Sequence, residues 1–526
     1  MSTSRSNSIR GHALVRRKFT FGLKWLLLIS VALSGCNLPQ PTSSTPDADS
    51  QRQTEIAGIL NPTQLNPPLV LPTLTPGSPA ADTPAAPLER REGFLHYTTQ
   101  QGDTLPALAS RFGVPPDAIQ SEATLSPAGL LPPGIQVWVP DVLEDVLPYD
   151  APILPDSEVT YGPTVGDFDA DAYAANAGGF LASYSEMVKD NVLQGPEIVQ
   201  RVALETSTNP RLLLAFLEYR SGWVFGHPEN AADDPYPIGF GAGTDTGLYK
   251  ELMITAKILA QGFYGWRDGS RVELSFFGGG SARLSPGLNA GSAALMQLFG
   301  VIYPENVWED HLFWTYSFLD FYRVMFGDTW ARAFSVEPYL LDPTLQPTLT
   351  LPFAPGEYWS LTGGPHITWQ TGTPWGALDF APVTGEAHCA VSFRWVTAAA
   401  PGLVVRSERS VVALDLDGDG DEGTGWVLIY QHIAEKDRVA AGTWLAQDAP
   451  VGHPSCEGGQ ASGTHVHLAR KFNGEWVGVG DPLPLVLSGW RAYAGERRYE
   501  GYLQKGDQIV NASPSGMSGS TIIRED

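Results

Sequence analysis

The sequence predicts a multidomain protein: a small βααβ module, an all-α middle domain and a C-terminal, mainly antiparallel β domain. Three observations predict this. At roughly 150 residues per domain, a chain of 526 residues has room for about three. From about residue 170 to 335 apolar residues recur at helical spacing, as in Leu248, Leu252, Ala256 and Leu259; from about 345 they give way to short Val- and Trp-rich strands between Gly and Pro turns. A Pro-, Thr- and Ser-rich stretch precedes these folded parts. A hydrophobic fraction of 43% is that of a folded chain, and a net charge of −24 argues against nucleic acid as a partner, since binding phosphate needs a basic face. Three Cys are too few for disulfides to hold the fold together.

Residues 1–35 read as a secretory signal. The first 24 carry Arg5, Arg10, Arg16, Arg17, Lys18 and Lys24 and no acid, and the apolar run Trp25–Leu33 is too short to span a bilayer as a mature helix. The run ends in Leu33-Ser34-Gly35-Cys36, which resembles a bacterial lipobox. The resemblance implies cleavage before Cys36 and acylation of its thiol, several acyl chains giving a stable anchor where one gives a marginal one. The expected location is therefore outside the cytoplasm, lipid-anchored to the bacterial cell membrane and facing the cell wall. No later stretch approaches 18 apolar residues, so no transmembrane helix is expected. Residues 36–92 form an extended tether; roughly 55 residues at ~3.1 Å each reach up to about 170 Å.

Residues 93–141 form a compact unit. His96–Thr99 reads as a strand, Leu105, Leu108, Ala109 and Phe112 as a helix face, Pro116–Glu122 as a second short helix, and Gln136–Pro140 as a closing strand. The segments YTTQQGDTLPALASRFGV and LLPPGIQVWVP resemble a lysin-motif (LysM) repeat, with Ala123 where such repeats usually carry Asn. The resemblance implies binding to N-acetylglucosamine chains of peptidoglycan or chitin. Residues 142–168 read as an acidic, Pro-containing linker. The helical domain, 169–340, is expected to place helices at 172–188, 195–206, 289–300 and 307–326, and another from Asn209-Pro210. Glu218-Tyr219-Arg220-Ser221-Gly222 faintly resembles the Glu-Ser-Gly segment of lysozyme-like transglycosylases, with different spacing. Catalysis by Glu218, non-catalytic glycan binding and a plain spacer all remain open for this domain.

Residues 345–510 carry the chemistry. Six of the ten His lie between 366 and 467. In Gly463-Thr464-His465-Val466-His467, a strand would point both imidazoles to one face. Gly363-Gly364-Pro365-His366 precedes Asp379 by thirteen residues, and Val427–Gln431 is a strand running into His432. These features together resemble the lysostaphin-type zinc endopeptidases, and within them the beta-lytic and staphylolysin subgroup. Most of that family has its first His four residues before the Asp, where this chain has Trp375; the subgroup uses the GGPH spacing instead. Cys456-Glu457-Gly458-Gly459 and Leu487-Ser488-Gly489-Trp490 match the same subgroup. The resemblance implies one zinc per chain held by His366, Asp379 and His467, with an open position for water, and His432 and His465 as the catalytic pair beside it. His388 and His453 match nothing in that pattern and read as structural. With Cys36 lipidated, Cys389 and Cys456 form either one disulfide or two buried thiols. Asp415-Leu416-Asp417-Gly418-Asp419-Gly420-Asp421 is either the start of a calcium loop, with Trp426 where the closing Glu belongs, or an acidic turn. Residues 511–526 read as a flexible tail.

The function these features imply is a membrane-anchored zinc metalloendopeptidase that hydrolyses peptide bonds of peptidoglycan during cell-wall remodelling. The alternatives are a non-catalytic regulator of other wall hydrolases, a protease for Gly-rich proteins, and a bifunctional enzyme with a glycosidase in the middle.

Overall fold

The computed structural model describes residues 88–241, 246–336 and 346–525. The signal segment, Cys36 and nearly all of the tether lie outside the described residues. No described helix is long and apolar enough to cross a membrane.

The first unit is a four-stranded sheet with one helix. Strands β1 (Glu89–Arg91), β2 (Phe94–Thr98), β3 (Gln120–Ser121) and β4 (Gln136–Pro140) run in the order β1-β2-β4-β3. Helix α1 (Leu105–Phe112) starts where the Thr104 side chain accepts from Ala107 N–H and ends at Gly113, in the left-handed conformation with φ 67°. The second helix expected at 116–122 is a 3₁₀ turn of three residues, Pro116–Ala118, before β3. Pro115 and Pro116 supply no amide donors there, and Gln120 and Ser121 pair with β4 instead.

The middle part contains helices α2 (Ala170–Ala177), α3 (Gly195–Thr206), α4 (Pro210–Ser221), α5 (Leu248–Arg267), α6 (Ala290–Ile302), α7 (Glu305–Phe313), α8 (Phe318–Phe326) and α9 (Thr329–Phe334). It is not all-α. Two hairpins interrupt it, β5 (Ser185–Val188) with β6 (Asn191–Gln194) and β7 (Glu273–Ser275) with β8 (Ser281–Arg283). The helix expected over 172–188 stops at Gly178, φ 70°, and the one expected over 307–326 is split, with Ser317 capping α8. The expected linker is also folded in: Leu154, Asp156, Ser157, Glu158 and Val159 are buried, the two acids paired with Arg267 and Arg332. Helix α5 explains why this part coheres. Leu252, Ala256, Leu259, Phe263 and Trp266 form one buried stripe at helical spacing.

The C-terminal part comprises β9 (Tyr358–Ile367), β10 (Trp375–Pro382), β11 (Val396–Thr397), β12 (Gly402–Glu408), β13 (Val411–Asp415), β14 (Trp426–Gln431), β15 (Trp444–Leu445), β16 (Pro450–Gly452), β17 (Val466–Phe472), β18 (Glu475–Trp476), β19 (Val486–Leu487), β20 (Trp490–Ala494), β21 (Gly501–Lys505), β22 (Gln508–Asn511) and β23 (Thr521–Ile523). The main sheet runs β15-β12-β13-β14-β17-β10-β9-β23, with β18 added beside β17. The expected flexible tail is therefore a strand. β23 closes the sheet edge on β9, and buried Arg524 pins it by pairing with Asp448.

The two faces of this sheet differ in composition. One carries Leu361, Leu378, Phe380, Val412, Leu414, Leu428, Tyr430, Val466 and Leu468 and forms the domain core. The other carries small or β-branched residues, Ala377, Val411, Ala413, Val427, Ile429 and Ala469, and the middle part packs on it. Tyr264 of α5 joins that cluster, and its hydroxyl accepts from Trp476 N–H at 2.9 Å. Ser207 Oγ donates to Gly474 O at 2.7 Å, and Trp476 Nε1 donates to Thr206 O at 3.3 Å. Arg267 pairs with Asp156 at 2.9 Å and Glu475 at 2.7 Å, and also donates to Gln101 O of the first unit.

Candidate metal centre

Side chains two apart on a strand share a face. His467 and Ala469 of β17 and Ala377 and Asp379 of β10 therefore lie on the side opposite the core, and β10 pairs with β17 so that Asp379 stands directly opposite His467. His366 comes from β9, the next strand. Gly363 on β9 is what lets Asp379 in: a Cβ there would stand 2.3 Å from Asp379 Oδ2. His366, Asp379 and His467 are all buried, and their ligand atoms lie within 4.8 Å of one another.

Backbone carbonyls set the tautomers, because a carbonyl can only accept. His366 Nδ1 donates to Gly364 O at 2.8 Å, leaving Nε2 as a lone pair. His467 Nε2 donates to Thr368 O at 2.9 Å, leaving Nδ1 as a lone pair. These two nitrogens are 3.1 Å apart and stand 3.4 and 3.2 Å from Asp379 Oδ1. Three electron-rich atoms thus face one another, and Asp379 Oδ1 is buried with no hydrogen-bond partner. Two neutral imidazoles and a carboxylate at these separations match the edge of a tetrahedron with metal bonds of about 2.0–2.1 Å. The donor set fits a zinc-like cation.

His432 and His465 stand beside this triangle. His432 Nδ1 donates to Glu457 O at 2.8 Å and His465 Nδ1 to Gly463 O at 2.7 Å, so both present an unprotonated Nε2. Their rings are 4.5 Å apart, and His465 Nε2 is 3.8 Å from Asp379 Oδ1. Burial, reinforced by His465, lowers the His432 pKa to about 4, so the ring is neutral at pH 7. His432 adopts φ 65°, and its carbonyl accepts from the Ser455 N–H at 2.8 Å and the Ser455 hydroxyl at 2.9 Å. The loop that supplies Glu457 is tied down by the Cys389–Cys456 disulfide, S–S 2.07 Å, so the pair of cysteines is bonded.

All five residues singled out from sequence thus converge. Tyr499 was not singled out: its ring stacks on His366 at 4.2 Å. Thr368, whose carbonyl orients His467, was also missed, because backbone acceptors leave no mark in sequence. Glu218 is buried and accepts from Val224 and Phe225 N–H at 2.6 and 3.0 Å, which makes it a loop anchor inside the middle part. His453 is structural, its Nδ1 donating to Arg394 O at 2.8 Å, and His388 stands against Gly463. Asp415, Asp417 and Asp419 do gather. Asp415 is already engaged by the N–H groups of Asp417, Gly418 and Gly420, and the loop carries no argument for calcium.

Residues 97–140 match the LysM domain family, and residues 152–340 match the family described as LasA, N-terminal domain. The chain is 25% identical over 355 residues to Protease LasA of Pseudomonas aeruginosa, a span covering 63% of this chain and 77% of that protein. Among solved structures it is similar to the deep-sea M23 metalloprotease pseudoalterin, at 25% identity and TM-score 0.27, covering 32% of this chain and 96% of that one. The catalytic domain of lysostaphin from Staphylococcus simulans is 18% identical with TM-score 0.17, over 23% of this chain and 87% of that domain.

Proposed function

Because the chain is a LysM-bearing metallopeptidase of the lysostaphin-type family, we propose that it is a membrane-anchored zinc endopeptidase that cleaves peptide bonds of peptidoglycan during cell-wall remodelling. The observation that carries this reading is the His366–Asp379–His467 triangle of mutually facing lone pairs. Zinc bound there would supply Lewis acidity, polarising the scissile carbonyl and making a water acidic enough to lose its proton near neutral pH.

The chain's own groups do the rest. His432 Nε2, neutral at pH 7, takes the proton of the attacking water, and His465 beside it passes that proton on to the leaving amine. Asp379 keeps the ligand set anionic, and the Gly364 and Thr368 carbonyls keep both ligand imidazoles in the right tautomer. The LysM domain holds glycan, and lipidated Cys36 holds the chain at the membrane.

The test is zinc content together with sacculus digestion, on the chain from residue 37, for wild type and His467→Ala. The expected outcome is one zinc per chain and new peptide amino ends, both lost in the variant. Wild-type protein without zinc that leaves sacculi intact would overturn the enzyme reading.

A further inference from the structure

A second feature is a cavity of about 460 Å³ between the middle part and the catalytic sheet. Its walls include Gln261 and Arg271 from one side and Thr371, Thr373, Trp375 and Arg498 from the other. It adjoins the metal ligands along the chain. Ile367 in its lining follows His366, and Arg498 precedes Tyr499, whose ring stacks on His366. Thr371 and Thr373 belong to the same loop as Thr368, which orients His467.

The cations of this cavity stand apart from the rest of the molecule. The chain has 57 acidic and 33 basic side chains, so a guanidinium rarely lacks a partner. Arg267 takes Asp156 and Glu475, Arg332 takes Glu158, Arg406 takes Glu422, and Arg497, next in sequence to Arg498, takes Glu500. Among the described residues Arg271 and Arg498 are the two arginines whose side chains make neither a hydrogen bond nor an ion pair, and both line this one cavity. The acid in the lining, Asp268, accepts from Ser270 N–H at 2.8 Å. A pair of unpartnered guanidinium forks with neutral donors around them suits a planar carboxylate, which each fork can take up bidentately.

We propose that this cavity is a substrate subsite that clamps a carboxylate of the peptide being cut between Arg271 of the middle part and Arg498 of the catalytic part. The proposal rests on the peptidase reading above and gives the middle part a share in substrate recognition. The carboxylate is either an acidic side chain or a free chain end.

Four peptides of one sequence separate these sources: Glu or Gln beside the scissile bond, each with an acid or an amide end. Steady-state kinetics use the zinc-loaded chain from residue 37. One of the two carboxylates is expected to lower KM about tenfold with little change in kcat, the size of one charge-assisted pairing. Arg271→Gln and Arg498→Gln should each remove most of that preference, with Arg498→Lys restoring part of it. Equal KM values for all four peptides in the wild type, or a preference undiminished in Arg271→Gln, overturn the subsite and leave the peptidase reading standing. If the wild type cleaves none of the four, the peptidase reading is what has failed. Calorimetric binding of the same peptides to wild type and Arg271→Gln then decides the subsite on the same criterion.

Discussion

His432 shows how much of the chemistry is set by groups that carry no charge. Its proton sits on Nδ1 because a carbonyl faces it, its pKa is low because it is buried, and its backbone conformation is held by Ser455. His432→Ala should keep the metal, since the ring is not in the triangle, and lower kcat by roughly 10²–10⁴, the range of general acid–base catalysis. Metal analysis alongside initial rates checks both halves. A second residue-scale prediction concerns Glu422, which is fully buried with Arg406 at 2.7 Å and Lys471 at 2.7 Å. Burial pushes its carboxyl up, but the two cations win and bring it to about 2. A carboxylate with a depressed folded pKa stabilises the fold above its unfolded value of about 4.3, and that stabilisation is lost as pH falls from there toward 2. The contribution is on the order of 3 kcal/mol. Denaturant midpoints from pH 7 down to 2.5 should fall more steeply for wild type than for Glu422→Gln. At pH 7 the variant should be less stable by about 3 kcal/mol, because two buried cations lose their partner.

At the scale of elements, β17 is the informative strand. Val466 and Leu468 face the core, while His467, Ala469 and Lys471 lie on the opposite face, part of which the middle part covers. One period of alternation therefore carries a core, a metal ligand, a docking surface and an ion pair. The docking side is built of small or β-branched residues, Ala377, Ala413 and Ala469 among them, because another part of the chain must lie close against it. Ala413→Leu or Ala469→Leu should cost about 1–3 kcal/mol by overpacking. Leu414→Ala, one residue away and facing inward, should cost about 2–5 kcal/mol by leaving a cavity. Thermal melts of the three variants check the contrast.

What sequence revealed and what it hid follow the same line. The HxH strand was legible because a strand turns residues two apart to one face, whereas the GGPH segment and the Asp were legible through their resemblance to the beta-lytic subgroup. Helices α3 and α5 were legible because apolar residues recur along one face of each. The linker was misjudged because Asp156 and Glu158 look like solvent-facing acids until Arg267 and Arg332, more than a hundred residues on, are seen beside them. The tail was misjudged for a similar reason, since Thr521–Ile523 becomes a strand only by pairing with β9. Tyr499 and the carbonyls behind the four imidazoles act through position, which residue identity does not record.

At the scale of the whole molecule, Arg267 is the residue to question. It reaches Gln101 of the LysM unit, Asp156 of the middle part and Glu475 of the catalytic part. Arg267→Ala would leave two acids with little exposure unpaired and should cost about 3–5 kcal/mol. Calorimetry should show one main transition in the wild type splitting into resolved steps in the variant.

The LysM domain is bolted on, too. Arg111 of α1 donates to Trp266 O at 2.9 Å and lies over that indole at 4.9 Å, Ser110 donates to Gly269 O, and Arg283 reaches back to the Ser110 and Arg111 carbonyls at 2.9 Å each. A sugar-holding module on a slack string only raises local concentration, and it does so wherever the string can reach. A module fixed to its neighbour works as a stencil. Were sugar held at one edge, the blade would sit at one offset, and in an ordered mesh the cuts would inherit the pitch of the mesh itself.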